Sequence, residues 1–242
     1  MKKAILLCLF LTAMLASFSQ DTTTVHTKII KTGLSNTSIV RDSSGTIYPY
    51  DIWKQLVLTG YYVVKAKDPA DKKTEFILIR LSEEEREKRS SGQPANQSST
   101  AFITGEPVAD FSVVDIDGNK YKLHDLKGTI VVLNFWFIEC KPCRAEMPEL
   151  NKLVQEYKDS TNVVFLAIAL NSKKSLKKFL KNSPFNYTMI ASGQEIADKY
   201  EVTSYPTHAI IDKEGKTYFH TTGLSSNTYY WLKRSIEEIT KK

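Results

Sequence analysis

Cysteine is scarce in this chain, with three residues in 242. Cys8 lies near the start, and the other two, Cys140 and Cys143, stand three apart. That distribution excludes a stapled scaffold, whose bridges tie distant stretches together. A bridge within so tight a loop removes little chain entropy. A structural zinc site takes four ligands. The four histidines, His26, His124, His208 and His220, have no paired spacing to complete one, so no metal is expected. Each of them reads as a surface or strand residue. Haem attachment needs a histidine after the second cysteine, and Arg144 stands there. Long blocks of like charge are missing too. The 33 basic and 27 acidic residues are interspersed, which excludes global disorder and gives no nucleic-acid-binding stripe. No internal repeat is present. The apolar run Ala4 to Leu15 falls short of the about 20 residues that span a bilayer.

What is present begins with an export pattern. Lys2-Lys3 precedes that apolar run, and Ser17-Phe18-Ser19 offers small residues for cleavage. Residues 1–19 are therefore expected to be a signal peptide, with Gln20 first in the mature chain. The rival is an uncleaved N-terminal anchor. Cleavage removes two lysines and no acids, so the net charge falls from +6 to +4. It also removes Cys8, whose neighbours do not suit a lipoprotein site. The protein is expected in the periplasm or cell envelope, soluble after cleavage and without a stable membrane span.

Residues 20–34 read as extended, polar and poorly ordered. Residues 20–89 hold a small α+β region. Asp42-Ser43-Ser44-Gly45 is a turn signal. Ile52, Trp53, Leu56 and Val57 take helical spacing up to Gly60. Tyr61–Val64 and Phe76–Ile79 are β-rich, so the unit reads as a helix beside a hairpin. Ser82 and Glu85 stand in capping-box positions for a short charged helix. Tyr48, Tyr50, Trp53, Tyr61 and Tyr62 fill a small core or make a binding face, the core being favoured. Residues 90–101 have the composition of a mobile linker.

Residues 102–242 alternate between strand and helix. A hairpin turns at Asp117-Gly118. Continuous apolar runs at Ile130–Phe137 and Val163–Leu170 are expected of strands buried on both faces. Helical stripes follow, through Leu150, Leu153, Val154 and Tyr157, through Leu176, Phe179 and Leu180, over Glu195–Tyr200, and through Tyr230, Leu232, Ile236 and Ile239. Strands at Tyr187–Ala191, Thr207–Asp212 and Lys216–Thr222 complete the order βαβαβ then ββα, an α/β mixed sheet with helices on both faces.

The two cysteines stand where the first apolar run hands over to a helix. The first turn of a helix has unpaired N–H groups and the positive end of the helix dipole, so it stabilises an anion. A thiol there can fall from about 8.5 to roughly 3.5–7.5. Cys143, on the same face, is close enough to close a disulfide with Cys140. Pro142 fits the first turn, which needs no N–H from it.

Asn134-Phe135-Trp136 before Cys140-Lys141-Pro142-Cys143, Glu146 and Pro148 after it, and the distant Tyr205-Pro206-Thr207 together resemble the thioredoxin superfamily. The nearest likeness is to its exported TlpA/ResA-like branch, over residues 102–242. The resemblance implies a thioredoxin-like fold and a thiol-disulfide oxidoreductase with Cys140 as exposed nucleophile and Cys143 as resolving cysteine. It implies a cis Pro206 against the disulfide, and a Tyr205 backbone free to pair with substrate. Trp136, Tyr205 and Pro206 are the expected substrate contacts. Glu146 looks like the acid of that branch, and a carboxylate buried there can exchange a proton near neutral pH. No cofactor is implied beyond the redox-active Cys140–Cys143 disulfide. The implied partners are protein disulfides, attacked in the reducing direction, and a membrane electron donor. Thioredoxin has an aspartate where this chain has Asn134. Glu139 stands where relatives commonly have tryptophan and opposes thiolate formation, while Lys141 favours it. Two alternatives remain. A thiol peroxidase would need Pro-x-x-x-Thr-x-x-Cys, and the residues before Cys140 have neither that proline nor that threonine. A non-catalytic adaptor would use the N-terminal region for binding.

Overall fold

A computed structural model describes residues 33–71, 73–95 and 99–242. The expected signal peptide, and nearly all of the expected polar segment after it, lie outside the described residues. The first elements are β1 (Val40–Arg41), β2 (Ile47–Tyr48), α1 (Tyr50–Leu58), β3 (Tyr62–Ala66), β4 (Phe76–Arg80) and α2 (Glu83–Ser91). The strands form one sheet in the order β2-β1-β4-β3, with β1 and β4 parallel. The unit is therefore more than a helix beside a hairpin. β1 and β2 are too short to show a period. They exist because Asp42 Oδ1 accepts from the Ser44 and Thr46 backbone N–H groups at 2.9 and 3.0 Å and turns the chain. Trp53, Val40, Phe76 and Leu78 are buried together, with Tyr48, Tyr50 and Tyr62 packed on them. Most of the aromatics thus fill a core. The capping box at α2 is complete, with Glu85 N–H donating to Ser82 Oγ at 3.2 Å and Ser82 N–H to Glu85 Oε2 at 2.8 Å.

The larger part comprises β5 (Ser112–Val114), β6 (Lys120–Lys122), β7 (Ile130–Trp136), α3 (Lys141–Glu156), β8 (Val163–Ala169), α4 (Lys173–Leu180), β9 (Thr188–Ile190), α5 (Gln194–Lys199), β10 (Thr207–Ile211), β11 (Thr217–Thr222) and α6 (Thr228–Thr240). β5 and β6 form the expected hairpin, its turn held by Asp115 Oδ1 accepting from Asp117 and Asn119 N–H. The central sheet has the order β11-β10-β7-β8-β9. β7 runs parallel to β8 and antiparallel to β10. This is the mixed sheet with helices on both faces that the resemblance implies.

Every residue of β7 is buried, and its period of two divides two cores. Ile130, Val132 and Trp136 face α3, α4 and α6, while Val131, Leu133 and Phe135 face α5 and the β5–β6 hairpin. Trp136, expected as a substrate contact, is therefore wholly buried. Its ring packs on Phe179 at 5.7 Å and edge-on to Phe185 at 5.6 Å. The strand's alternation turns it into the core behind the cysteines.

The N-terminal unit packs on the larger part through α2. Arg86 lies over the Tyr61 ring at 3.7 Å and pairs with Glu149 of α3 at 3.1 Å, both side chains 11% exposed. Gly60 approaches Ser226 so closely that an added Cβ would stand 2.6 Å from its carbonyl oxygen, and its φ of +76° suits glycine. The expected linker is anchored where it is described. The Pro94 carbonyl accepts from Asn227 Nδ2 at 2.9 Å, and Ser99 is buried.

Two outcomes follow from this packing. Burial, partly offset by Arg86, pushes Glu149 from 4.5 up to about 7. A carboxyl whose folded value is raised contributes most stability below its unfolded value and loses it as pH rises through the folded value. Relative to Glu149→Gln, the wild type should lose about 2 kcal/mol between pH 4.5 and 7.5 in denaturant titrations. A Trp136→Ala change should cost about 3–5 kcal/mol of stability by the same measurement, as expected of a core tryptophan.

Candidate functional site

β7 ends at Trp136, and a three-residue turn leads to α3. The turn is pinned from the end of β8. Ile138 N–H donates to Asn171 Oδ1 at 2.7 Å, and Asn171 Nδ2 donates to Glu139 Oε2 at 3.1 Å. Glu139 is exposed and tied to that amide, while Lys141 is exposed on the first turn of α3. Cys140 is the N-cap of α3, and its Sγ accepts the Cys143 backbone N–H at 3.2 Å. Pro142 occupies the first turn, where no intrahelical donor is lost. Cys140 and Cys143 are joined by a disulfide, their Cα atoms 5.3 Å apart.

Cys140 is less open than the resemblance implies. It is 4% exposed and Cys143 2%, both being part of the core cluster beneath α3. The cover is aromatic and aliphatic, since Phe137, Ile138 and Tyr205 pack on the same cluster. The Phe137 and Tyr205 rings meet edge to face at 5.4 Å, which brings the loop before Pro206 to the loop before Cys140. The Tyr205–Pro206 peptide is cis, and β10 begins at Thr207, directly opposite Phe135 of β7. Across the first turn of α3, Lys141, Pro142 and Arg144 face Ile52, Lys54 and Leu58 of α1 over an open groove of about 800 Å³.

Beneath the disulfide is a buried polar chain. Glu146, one turn beyond Cys143, is 5% exposed. Its Oε1 lies 2.8 Å from His208 Nε2, and His208 Nδ1 lies 3.3 Å from Asn134 Nδ2. The sheet accounts for this meeting. Asn134 and His208 are register partners on β7 and β10, and both share the face of Ile210 and Trp136. Glu146 comes down on that face from α3. Among the described residues its Oε2 is buried without a hydrogen-bond partner, as is the Tyr187 hydroxyl. Burial first, and the charge of Glu146 second, push Tyr187 well above the ordinary phenol value, so it stays protonated.

Cys140, Cys143, Glu146, Tyr205 and Pro206 are thus gathered at one end of the sheet, with Trp136 behind them in the core. The sequence reading did not single out His208. A histidine inside a β-rich stretch two residues after a proline is a faint signal, but its partners lie 62 and 74 positions away, Glu146 on α3 and Asn134 at the same register of β7.

Residues 104–219 match the AhpC/TSA family. The chain is 39% identical over 125 residues to the thioredoxin-like protein YneN of Bacillus subtilis (strain 168), covering 51% of this chain and 74% of that one. It is 35% identical over 139 residues to the thiol-disulfide oxidoreductase ResA of Bacillus thuringiensis subsp. konkukian (strain 97-27), covering 57% and 77%. A solved structure from Chlorobium tepidum, described as a thiol:disulfide interchange protein DsbE, superposes with a TM-score of 0.52 at 27% identity, over 57% of this chain and 98% of that one. With the mixed sheet, the cysteine pair at its helix N-terminus and these likenesses together, the chain belongs to the thioredoxin-like family of thiol-disulfide oxidoreductases that includes ResA.

Proposed function

We propose that this oxidoreductase works outside the cytoplasm and reduces protein disulfides through the Cys140/Cys143 dithiol. The observation that carries the reading is Cys140 at the N-cap of α3, its sulfur already accepting a backbone N–H. That donor and the helix dipole favour a thiolate over a thiol. The Cys140 thiolate attacks one sulfur of a substrate disulfide, and the other substrate sulfur leaves as a thiolate. Cys143 then loses its proton and attacks Cys140, and the second substrate sulfur leaves. Two electrons pass to the substrate, and the enzyme is left as the disulfide seen here. A membrane electron donor returns it to the dithiol.

Glu146, buried one turn from Cys143, is the group that takes and returns the proton of the resolving cysteine. The Tyr205 backbone stands outside the ladder that begins at Thr207, so an extended substrate segment can pair with it. The small opening at Cys140 limits attack to disulfides on exposed, extended segments. Export rests on the N-terminal pattern of residues 1–19, which leaves Cys140 and Cys143 as the two cysteines of the mature chain. A thiol peroxidase is not favoured, because the turn before Cys140 holds neither the proline nor the threonine that such a loop uses.

Insulin reduction tests the reading. Cys140→Ser should abolish turnover. Cys143→Ser should accumulate mixed disulfides with substrate, visible on non-reducing gels. A potential for the couple near about −270 mV fits a reductant, and one near about −120 mV would reverse the direction. Retention of full activity by Cys140→Ser would sink the proposal.

A further inference from the structure

Asn134, His208 and Glu146 lie in the core facing α3, where an unpaired polar group is costly. Their contacts assign their protons. With the Asn134 amide set so that Nδ2 faces the ring, that nitrogen donates, and His208 Nδ1 accepts in the tautomer that bears no hydrogen there. The imidazole proton is then on Nε2 and is donated to Glu146 Oε1. Among the described residues this is the hydrogen bond that Glu146 Oε1 receives, and Oε2 is left with none.

We propose that His208 is a positioning residue for the dithiol cycle. Held in its Nε2–H form by Asn134, it grips Oε1 of Glu146 and leaves Oε2 free to take the thiol proton of Cys143. The inference rests on the dithiol reading above. In the resolving step the Cys143 S–H bond breaks and its proton goes to Oε2. The freed sulfur pair makes the Cys143–Cys140 bond. The bond from Cys140 to substrate breaks, and its electron pair leaves on the substrate thiolate. When the donor regenerates the dithiol, the same proton returns to Cys143.

The other groups around Glu146 do not take this role. The Tyr187 hydroxyl, just before β9, is buried and stays protonated. Glu149 on α3 and Arg86 on α2, which border a small cavity beside Glu146, are paired with each other. Tyr229 on α6, at the rim of that cavity, bonds to Glu156. Cys143 itself is in the disulfide. The neutral donor on β10 is what fixes the carboxylate. A hydrogen bond to a carboxylate favours its charged form. Losing the donor therefore makes the carboxylate a proton acceptor only at higher pH.

The test uses the reduced full chain with excess 5,5′-dithiobis(2-nitrobenzoate) in a stopped-flow pH series. The wild type should release one thionitrobenzoate as Cys140 attacks and a second as Cys143 resolves. His208→Leu keeps the volume and removes the donor. It should move the pH midpoint of the second phase up by about one unit, a slowing of about tenfold at a fixed pH on the acid limb, with the first phase unchanged. His208→Gln keeps an N–H donor and should restore the wild-type midpoint. A leucine variant that melts earlier but keeps the midpoint overturns the proposal and leaves His208 a packing residue. Nitrogen shifts of histidine-labelled wild type supply an answer that needs no variant. A neutral Nε2–H ring at His208 is expected, and an Nδ1–H ring or an imidazolium at pH 8 overturns the assignment. If the wild type never releases the second thionitrobenzoate, the dithiol reading itself fails, whatever the ring's tautomer.

Discussion

An apolar interior rejects anions, yet the proposed chemistry creates one at Cys140 and sets the carboxyl group of Glu146 behind it. The handover from β7 to α3 makes the first of these possible. A strand buried on both faces delivers the chain to one point at the edge of the core. There the helix opens with N–H groups that have no partner of their own. Asn171 ties down the turn between them, so the N-cap sulfur meets the Cys143 N–H rather than water. The aromatic pair Phe137–Tyr205 then joins this turn to the loop of the cis proline, so two stretches distant in sequence meet beside the disulfide's core cluster.

The second anion is handled by the sheet. On the face toward α3, β7 and β10 each have one polar interruption, Asn134 and His208, at the same register. Asn134 and His208 would be costly there singly. Together, and with Glu146 descending from α3, they bond to one another in series, and among the described residues Glu146 Oε2 is left without a hydrogen bond. Native interiors rarely leave such an atom without reason. It lies one turn from Cys143, on the same helix as the disulfide.

The N-terminal unit is small for independent stability, and its contacts fit that. Its core centres on four buried residues, and α2 adds the paired Arg86 and Glu149, nearly shielded from water. Gly60 allows the backbone to come within touching distance of Ser226. The unit is held against α3 and α6 in this way, and one wall of the groove beside the first turn of α3 is its helix α1.

Much of the fold was legible because it rests on local periods. A run such as Val163–Leu170, short, continuously apolar and rich in β-branched residues, reads as a strand covered on both sides, and the helical stripes declare which face is apolar. Cys140 at a strand-to-helix boundary, with Cys143 and Glu146 at the next turns, follows from spacing alone. The two-residue strands β1 and β2 escaped, since two residues have no period and their pairing is made by the Asp42 turn and a distant β4. The side of the sheet to which Trp136 points was likewise hidden. The direction of a strand's alternation has no meaning until the covering helices are in place. The burial of Cys140 was hidden as well, since the core cluster it joins is packed by residues as distant as Tyr205, sixty-five positions later. His208 shows the division most clearly. Its sequence neighbourhood says strand, while its contacts are set by register with β7 and by the descent of α3, between residues that only folding brings to 3.3 and 2.8 Å.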